Sequence, residues 1–555
     1  MSIEKMWLLA TAEVLLLVGC RSLPGGLTPA IDPAHLTAMV QTLASDAYEG
    51  RAPGTDGETM TIAYLQERFR SLGLEPGGEN GGWTQAVPLI RTQLGVPRGL
   101  SLSIRGQSRA LTQGTEIYLN TVRNSTHIDV RAAPLVFVGY GATAPERQWD
   151  DFKGVDVAGK VVVMLVNDPD FHAVEGEPVT GRFGGRRMTY YGRWAYKYEE
   201  AARRGAIAAL IVHDTDGAGY GWPTVVASAG ENYDLANRDP AQQLAVRGWL
   251  AHEFAASLFH DAGLDLNTLR VQARRSDFRP VAMPVTLTAD IPVSTEATVS
   301  HNVLARITGS THPDEIVMFA AHWDAYGIGA PDAEGRTVRA GANDDALGTA
   351  GVLELARVSA AGPRPERTLV FALWTAEERG LLGSMAYAER PLYPVEKTVA
   401  NLTIDILQTA GPARDVLLVG EGQSDLEDDL ARAAAVQGRL VTPEALPERG
   451  LFYRADHFPM AKMGVPVLLL MAMSGGANLV EGGREAGDRW LADYMKCYHQ
   501  TCDRWSPDWD LRGAAQDIEL LRAIGTELAT SRRWPRWRQD SEFRAVRAQS
   551  QSARP

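Results

Sequence analysis

Cysteine is scarce in this chain, with three in 555 residues, too few for a disulfide scaffold. A basic excess is missing as well. Lys and Arg number 55 against 68 Asp and Glu, a net charge of −13, whereas a nucleic-acid-binding surface calls for a positive balance. Beyond the extreme N-terminus no apolar run reaches about 18 residues, which excludes a bundle of membrane-spanning helices. No repeat with a period of roughly 20–50 residues is visible, which argues against solenoids and propellers. What is present is 45% apolar and 22% charged, the balance of a folded globular protein. At about 100–200 residues per domain the length allows two to four domains.

The segment Met6 to Val18 is mostly apolar and has the length of a signal-peptide core. It ends in Leu17-Val18-Gly19-Cys20, a small residue before Cys, similar to a bacterial lipobox. Residues 1–20 are therefore expected to be a lipoprotein-type signal peptide, with Cys20 the lipidation candidate and 21–31 a linker. Glu4 beside Lys5, and Glu13 within the apolar stretch, keep a plain signal peptide or a short buried helix open. Export is expected, to the periplasm, to the outer membrane through a lipid, or into the medium. That lipid would be the only membrane contact. Cys497 and Cys502 enclose four residues; in an exported chain they form a disulfide candidate, the alternative being two free thiols.

Asp32-Pro33 reads as an N-cap followed by Pro at the first helical position. A second helix is expected from Asp56 to Leu72, ending at Gly73. Residues 32–99 are read as the first part of a main domain. From 100 to 292 short β-rich runs flank a helix at Tyr196–Arg204, marking a separate α/β unit. From 293 to 531 continuous apolar runs alternate with helices: Ile316–Ala321, Thr368–Trp374, Leu402–Leu407 and Val465–Met471. Runs of this kind predict a mixed, mostly parallel sheet covered by helices on both faces. Polar groups follow the C-terminal ends of the runs, where open α/β sheets place their sites. The tail 532–555 holds seven Arg interleaved with Trp534, Trp537 and Phe543. It is read as packing back over the domain, with binding to anionic lipid or an acidic partner as the alternative.

Five spaced pieces carry chemistry: His322-Trp-Asp324, Gly341-Ala-Asn-Asp344-Asp345, Glu377-Glu378, Asp405 and His499. Alone, each has an ordinary structural explanation. Together they supply two imidazoles and several carboxylates, a mixed nitrogen and oxygen set that suits Zn²⁺.

In this order the pieces resemble the co-catalytic di-zinc aminopeptidase family, whose relatives include glutamate carboxypeptidase. The blocks Phe452-Tyr-Arg-Ala-Asp456-His457 and Tyr498-His499 extend the resemblance, which runs from about Asp32 to the C-terminus. The runs Val136-Phe-Val-Gly-Tyr-Gly and Gly159-Lys-Val-Val-Val, with the stretch beginning at Tyr190-Tyr-Gly-Arg-Trp, resemble the protease-associated domain inserted in one branch of that family. The resemblance implies the zinc-exopeptidase fold and two zinc ions per chain. It implies that Asp344 bridges the ions, with His322 and Asp405 on one and Glu378 and His499 on the other. It makes Glu377 the general base and Asp324 the residue that orients His322. A base beside a ligand, not itself used as one, is positioned to take a proton from water and deliver it to a leaving amine. Tyr453 is a candidate hydrogen-bond donor to the oxyanion, with a core-facing aromatic as the alternative. Arg454 either receives a substrate carboxylate or pairs with Asp456. Departures from the family pattern are Asp345, Leu347, Ile404 and Ala325-Tyr326.

The expected function is that of an exported zinc aminopeptidase acting on peptides. A carboxypeptidase or dipeptidase on the same site is the second reading, and a catalytically dead binding protein the third. The preferred residue and the oligomeric state are left open.

Overall fold

The computed structural model describes residues 30–228 and 230–554. The expected signal peptide with Cys20, and the linker up to residue 29, lie outside the described residues.

The first helix begins where Asp32 and Pro33 set it. It spans Pro33–Leu43, with the Asp32 carboxylate accepting the Ala34 N–H. Leu36, Met39, Val40 and Leu43 form its buried stripe. The second helix, Asp56–Ser71, is capped by the Thr55 side chain accepting from Glu58.

The apolar runs become the strands His312–His322, Arg367–Trp374, Thr398–Ile404 and Val467–Leu470. All four are parallel, in the spatial order Val467–Leu470, Thr398–Ile404, His312–His322, Arg367–Trp374. Alternate side chains enter opposite cores. Val317, Phe319 and Phe371 join the core beneath the helices Pro33–Leu43, Leu347–Ala360 and Arg512–Thr530, while Met318, Ala320 and Val370 join the other. Coverage on both faces explains why these strands read as continuous apolar runs instead of alternating ones.

Beside them runs an antiparallel strand of 27 residues, Val281–Ile307. From Val293 onward it pairs with Thr84–Leu94 in the main sheet, and up to Pro292 it pairs with His127–Phe137 in a second sheet. That second sheet continues through the parallel strands Val161–Leu165, Ala208–Val212 and Val246–Leu250 and has cores of its own on both faces. One strand of this middle region crosses over: Glu231–Leu235 pairs with Thr84–Leu94 of the main sheet.

The tail packs back. Arg532 meets Glu315 at 3.0 Å, the Trp537 indole donates to the Gly464 carbonyl at 2.8 Å, and Arg547 donates to the Thr398 carbonyl at 2.8 Å. Trp537 and Phe543 are buried in the core below the sheet.

Candidate metal centre

Parallel strands in register bring their C-terminal ends to one edge. His322 stands opposite Trp374, and Ala320 opposite Thr403. Glu377 and Asp405 follow those strand ends, so both emerge beside His322. Asp344 lies in the turn before the helix Leu347–Ala360. That turn needs Gly341, whose φ is 53° and whose added Cβ would fall 2.2 Å from the Asp344 carbonyl. His499 sits on the loop after the helix Gly483–Cys497, inside the ring closed by the Cys497–Cys502 disulfide.

His322 Nε2 lies 3.2 Å from Asp344 Oδ1 and 3.9 Å from both Asp405 Oδ1 and Glu377 Oε2. His499 Nε2 lies 3.3 Å from Asp344 Oδ2 and 3.1 Å from Glu378 Oε2. Two triads result, His322–Asp344–Asp405 and Asp344–Glu378–His499, each with its donor atoms within 4.8 Å of one another. Asp344 belongs to both and turns one oxygen toward each. Asp405 Oδ1 is buried without a hydrogen-bond partner, an expensive position for a carboxylate oxygen unless a cation satisfies it. The donor set and this orphaned oxygen fit a pair of adjacent divalent cations.

The electrostatics point the same way. Burial, with Asp405 and Glu378 nearby, drives the Glu377 carboxyl well above its ordinary range, although His322 opposes this. Burial, with Asp344 as the nearest like charge, does the same to Asp405. Asp344 is held low in spite of its burial, because both imidazoles bond it. Burial works against the charged form of His499, but Glu378 and Asp344 override it and carry the ring up to about 10. So many buried carboxylates cannot all ionise without compensating positive charge.

Asp324 acts on two partners. Nδ1 of His322 is 3.1 Å from the Asp324 carbonyl and 3.5 Å from its Oδ1, so the nearer acceptor is the main chain. The carboxylate instead accepts the Glu377 N–H at 3.0 Å. Tyr453 is not brought to the centre. Its hydroxyl donates to Glu542 at 2.8 Å, and its ring packs between Tyr190 and Phe458, because the tail and the middle region both close over that loop. A tyrosine that does lie in the field of the carboxylates is Tyr498. Burial raises its hydroxyl well above the ordinary value, Asp344, Glu378 and Glu377 add to the rise, and Arg454 opposes it. Arg454 is not paired with Asp456, which accepts the Ser384 hydroxyl on one oxygen and leaves the other buried without a partner. Among the departures, Leu347 and Ile404 face the core, while Asp345 accepts the main-chain N–H groups of His322 and Gly348 at 3.3 and 2.9 Å.

Two bracing residues have no role assigned in the reading of the sequence. Arg51 is fully buried and donates to the carbonyls of Leu43, Trp323, Ala340 and Gly341 at 2.7–2.9 Å. Asp503 accepts the main-chain N–H groups of Asn343 and Asp344 at 3.0 and 3.1 Å. Neither position shows a periodic or spaced signal. Only the nearness of Asp503 to His499 hints at a role.

The fold and the centre define a class, an α/β protein whose sheet edge gathers two imidazole–carboxylate triads around one shared aspartate. Residues 302–521 match the model for peptidase family M28. Leupeptin-inactivating enzyme 1 of Streptomyces exfoliatus is 29% identical over 205 residues, 37% of this chain and 43% of that protein. Carboxypeptidase Q of Mus musculus is 41% identical over 91 residues, 16% of this chain and 17% of that protein. The matched stretches thus span less than half the length of these relatives. Among solved structures, an aminopeptidase from Aneurinibacillus sp. strain AM-1 aligns over 91% of this chain and 95% of that one, with a TM-score of 0.49 and 20% identity.

Proposed function

We propose that the chain is a zinc-dependent exopeptidase, an exported aminopeptidase that removes N-terminal residues from peptides, with two zinc ions held by the triads that share Asp344. The observation that carries this reading is the pairing of two triads on one carboxylate with Glu377 beside them and outside both. Zinc bound there supplies Lewis acidity and lowers the pKa of water. Glu377, anchored by its main chain to Asp324, takes the proton of the attacking water at its carboxylate and delivers it to the leaving amine. Tyr498, whose hydroxyl lies in the field of the same carboxylates, is the proposed donor to the developing oxyanion. The middle region, read as a protease-associated domain, packs against the loop around Tyr453 through Tyr190.

A dipeptidase or carboxypeptidase reading is favoured by two arginines. Arg193 is 92% buried yet its Nε has no partner. Burial and the charge of Arg454 pull its guanidinium down to about 10. A buried guanidinium with an unpaired Nε–H, in the field of the like charge of Arg454, suits the free carboxylate of a short substrate.

The deciding experiment measures zinc content alongside hydrolysis of amino-acyl anilides, free dipeptides and N-blocked peptides, for the wild type and Glu377→Gln. Turnover of free N-termini only, lost in Glu377→Gln with zinc retained, supports the aminopeptidase. Turnover of N-blocked peptides alone supports the carboxypeptidase. Zinc binding with no turnover of any class supports the binding-protein reading.

A further inference from the structure

Each histidine of the centre needs something to hold its ring. His322 is fixed at the end of a strand and has the Asp324 carbonyl at its Nδ1. His499 has no such frame. It lies on a turn, is half-buried, and adopts a left-handed φ of 62°. Its Nε2 faces Asp344 and Glu378, so a cation on that nitrogen requires the proton to sit on Nδ1. The group opposite Nδ1 is the hydroxyl of Tyr326, at 3.1 Å, and the two rings lie 4.5 Å apart at a tilt of 45°. Nδ1–H therefore donates to a phenol oxygen, in a place where a carboxylate or a main-chain carbonyl is the usual acceptor.

Tyr326 is itself held from behind. The Arg379 guanidinium lies 5.0 Å from the Tyr326 ring centre and 5.0 Å from that of Tyr233, so the cation is sandwiched between two aromatic faces. Arg379 also lies 3.9 Å from the Glu231 carboxylate. Tyr233 and Glu231 belong to the strand Glu231–Leu235, which the middle region contributes to the main sheet. Arg379 directly follows Glu378, the other carboxylate of the same triad.

We propose that Tyr326 is the positioning residue for His499, and that the strand Glu231–Leu235 holds it in place through Arg379. The middle region thereby fixes the Asp344–Glu378–His499 triad. The inference rests on reading the two triads as metal sites, and it gives the crossing strand a task beyond covering the sheet edge.

The test is competition between the protein and a chelator for Zn²⁺, with thermal melting recorded on the same samples. Tyr326→Phe keeps the ring and removes only the oxygen. It is expected to hold one zinc ion as the wild type does and to bind the other about 10–100-fold more weakly, with an unchanged melting temperature in the zinc-free protein. Tyr326→His, which restores an acceptor, is expected to recover most of that loss. Tyr233→Leu, remote from every ligand, is expected to weaken the same ion by a smaller factor. Two ions held equally tightly by the wild type and by both Tyr326→Phe and Tyr233→Leu would overturn the inference while leaving the metal centre standing. Equal weakening of both ions would overturn it too, since the hydroxyl would then serve the fold as a whole. A wild type that takes up no zinc would overturn the centre itself, and the inference with it.

Discussion

One carboxylate oxygen, Oδ1 of Asp324, accepts the main-chain N–H of Glu377 at 3.0 Å and lies 3.5 Å from Nδ1 of His322. The atom that anchors the proposed base thus also lies beside the ring of His322, whose nearer acceptor is the Asp324 carbonyl. Replacing Asp324 by Ala removes the anchor of Glu377 and leaves His322 with only a main-chain acceptor. Zinc affinity is expected to fall about 10–100-fold, and kcat on an anilide, measured at saturating zinc, by at least that factor. Asp324→Asn retains an acceptor oxygen and is expected to lie between wild type and Asp324→Ala. Equal kinetics for Asn and Ala would show that the charge matters and the anchor does not.

Arg51 ties the loop after the first helix to the end of the strand His312–His322 and to the turn that carries Asp344, through the carbonyls of Trp323, Ala340 and Gly341. It reaches them because Gly50 allows a close approach, an added Cβ there falling 2.4 Å from the Arg339 carbonyl. Burial lowers the guanidinium to about 10, with Asp324 and Asp503 opposing, so it stays charged at neutral pH. Arg51→Ala takes the donor from the buried carbonyls of Leu43, Trp323 and Ala340, while Gly341 keeps the Ala346 N–H; at about 1–3 kcal/mol each, partly recovered by relaxation and water, the net loss is about 3 kcal/mol. A fall in melting temperature of roughly 3–5 °C is expected by calorimetry. A single ammonium cannot serve four carbonyls spread around a planar fork, so Arg51→Lys is expected to recover less than half of that loss.

The contrast between Arg51 and His322 shows where legibility in the sequence ends. His322, Glu377, Glu378 and Asp405 stand just past continuous buried runs, and a polar residue in that place is visible without coordinates. The parallel sheet followed from the same runs, because strands covered on both faces lose their alternation. Arg51 lies in a turn-rich loop with no period, and its partners are 272 to 290 residues away except for Leu43. The strand Glu231–Leu235 reads Glu-Asn-Tyr-Asp-Leu, too polar and short to announce itself, and only pairing with Thr84–Leu94 makes it a strand. Tyr453 was open to two readings because its neighbour in space, Glu542, belongs to the tail.

The middle region makes a separate prediction about pH. Asp151 is fully buried, and burial lifts its carboxyl from 3.8 to about 7 against the N–H of Ala142, the Trp149 indole and the charge of Lys197. Between about pH 4 and 7 the folded chain thus keeps a proton on Asp151 that the unfolded chain has released. Stability contributed by this group is present below the unfolded pKa and is lost as pH rises through the folded one. Burial raises Asp168 to about 7 as well, with the same sign. The melting temperature of the zinc-loaded protein is expected to decline from pH 5 to pH 7.5 on this account. Asp151→Asn, which cannot titrate, is expected to flatten the slope. Parallel curves for the two proteins would remove Asp151 as its source.

Two tyrosines separate the chemistry of the centre from the packing around it. Tyr498 precedes His499, has its ring centre 3.6 Å from that of the imidazole at a tilt of 33°, and has its hydroxyl in the field of Asp344, Glu378 and Glu377. Tyr453 spends its hydroxyl on Glu542 and packs against Phe458. Removing an oxyanion donor costs about 10²–10³ in kcat, so Tyr498→Phe is expected to lose that factor with KM and zinc content little changed. Tyr453→Phe is expected to keep kcat within about threefold and to lose about 1 kcal/mol of stability with the Glu542 hydrogen bond. Kinetics of both variants on one anilide substrate, with melting curves alongside, check the assignment. A large kcat loss in Tyr453→Phe and none in Tyr498→Phe would reverse the two roles, and would require the loop around Tyr453 to leave Glu542 when substrate binds.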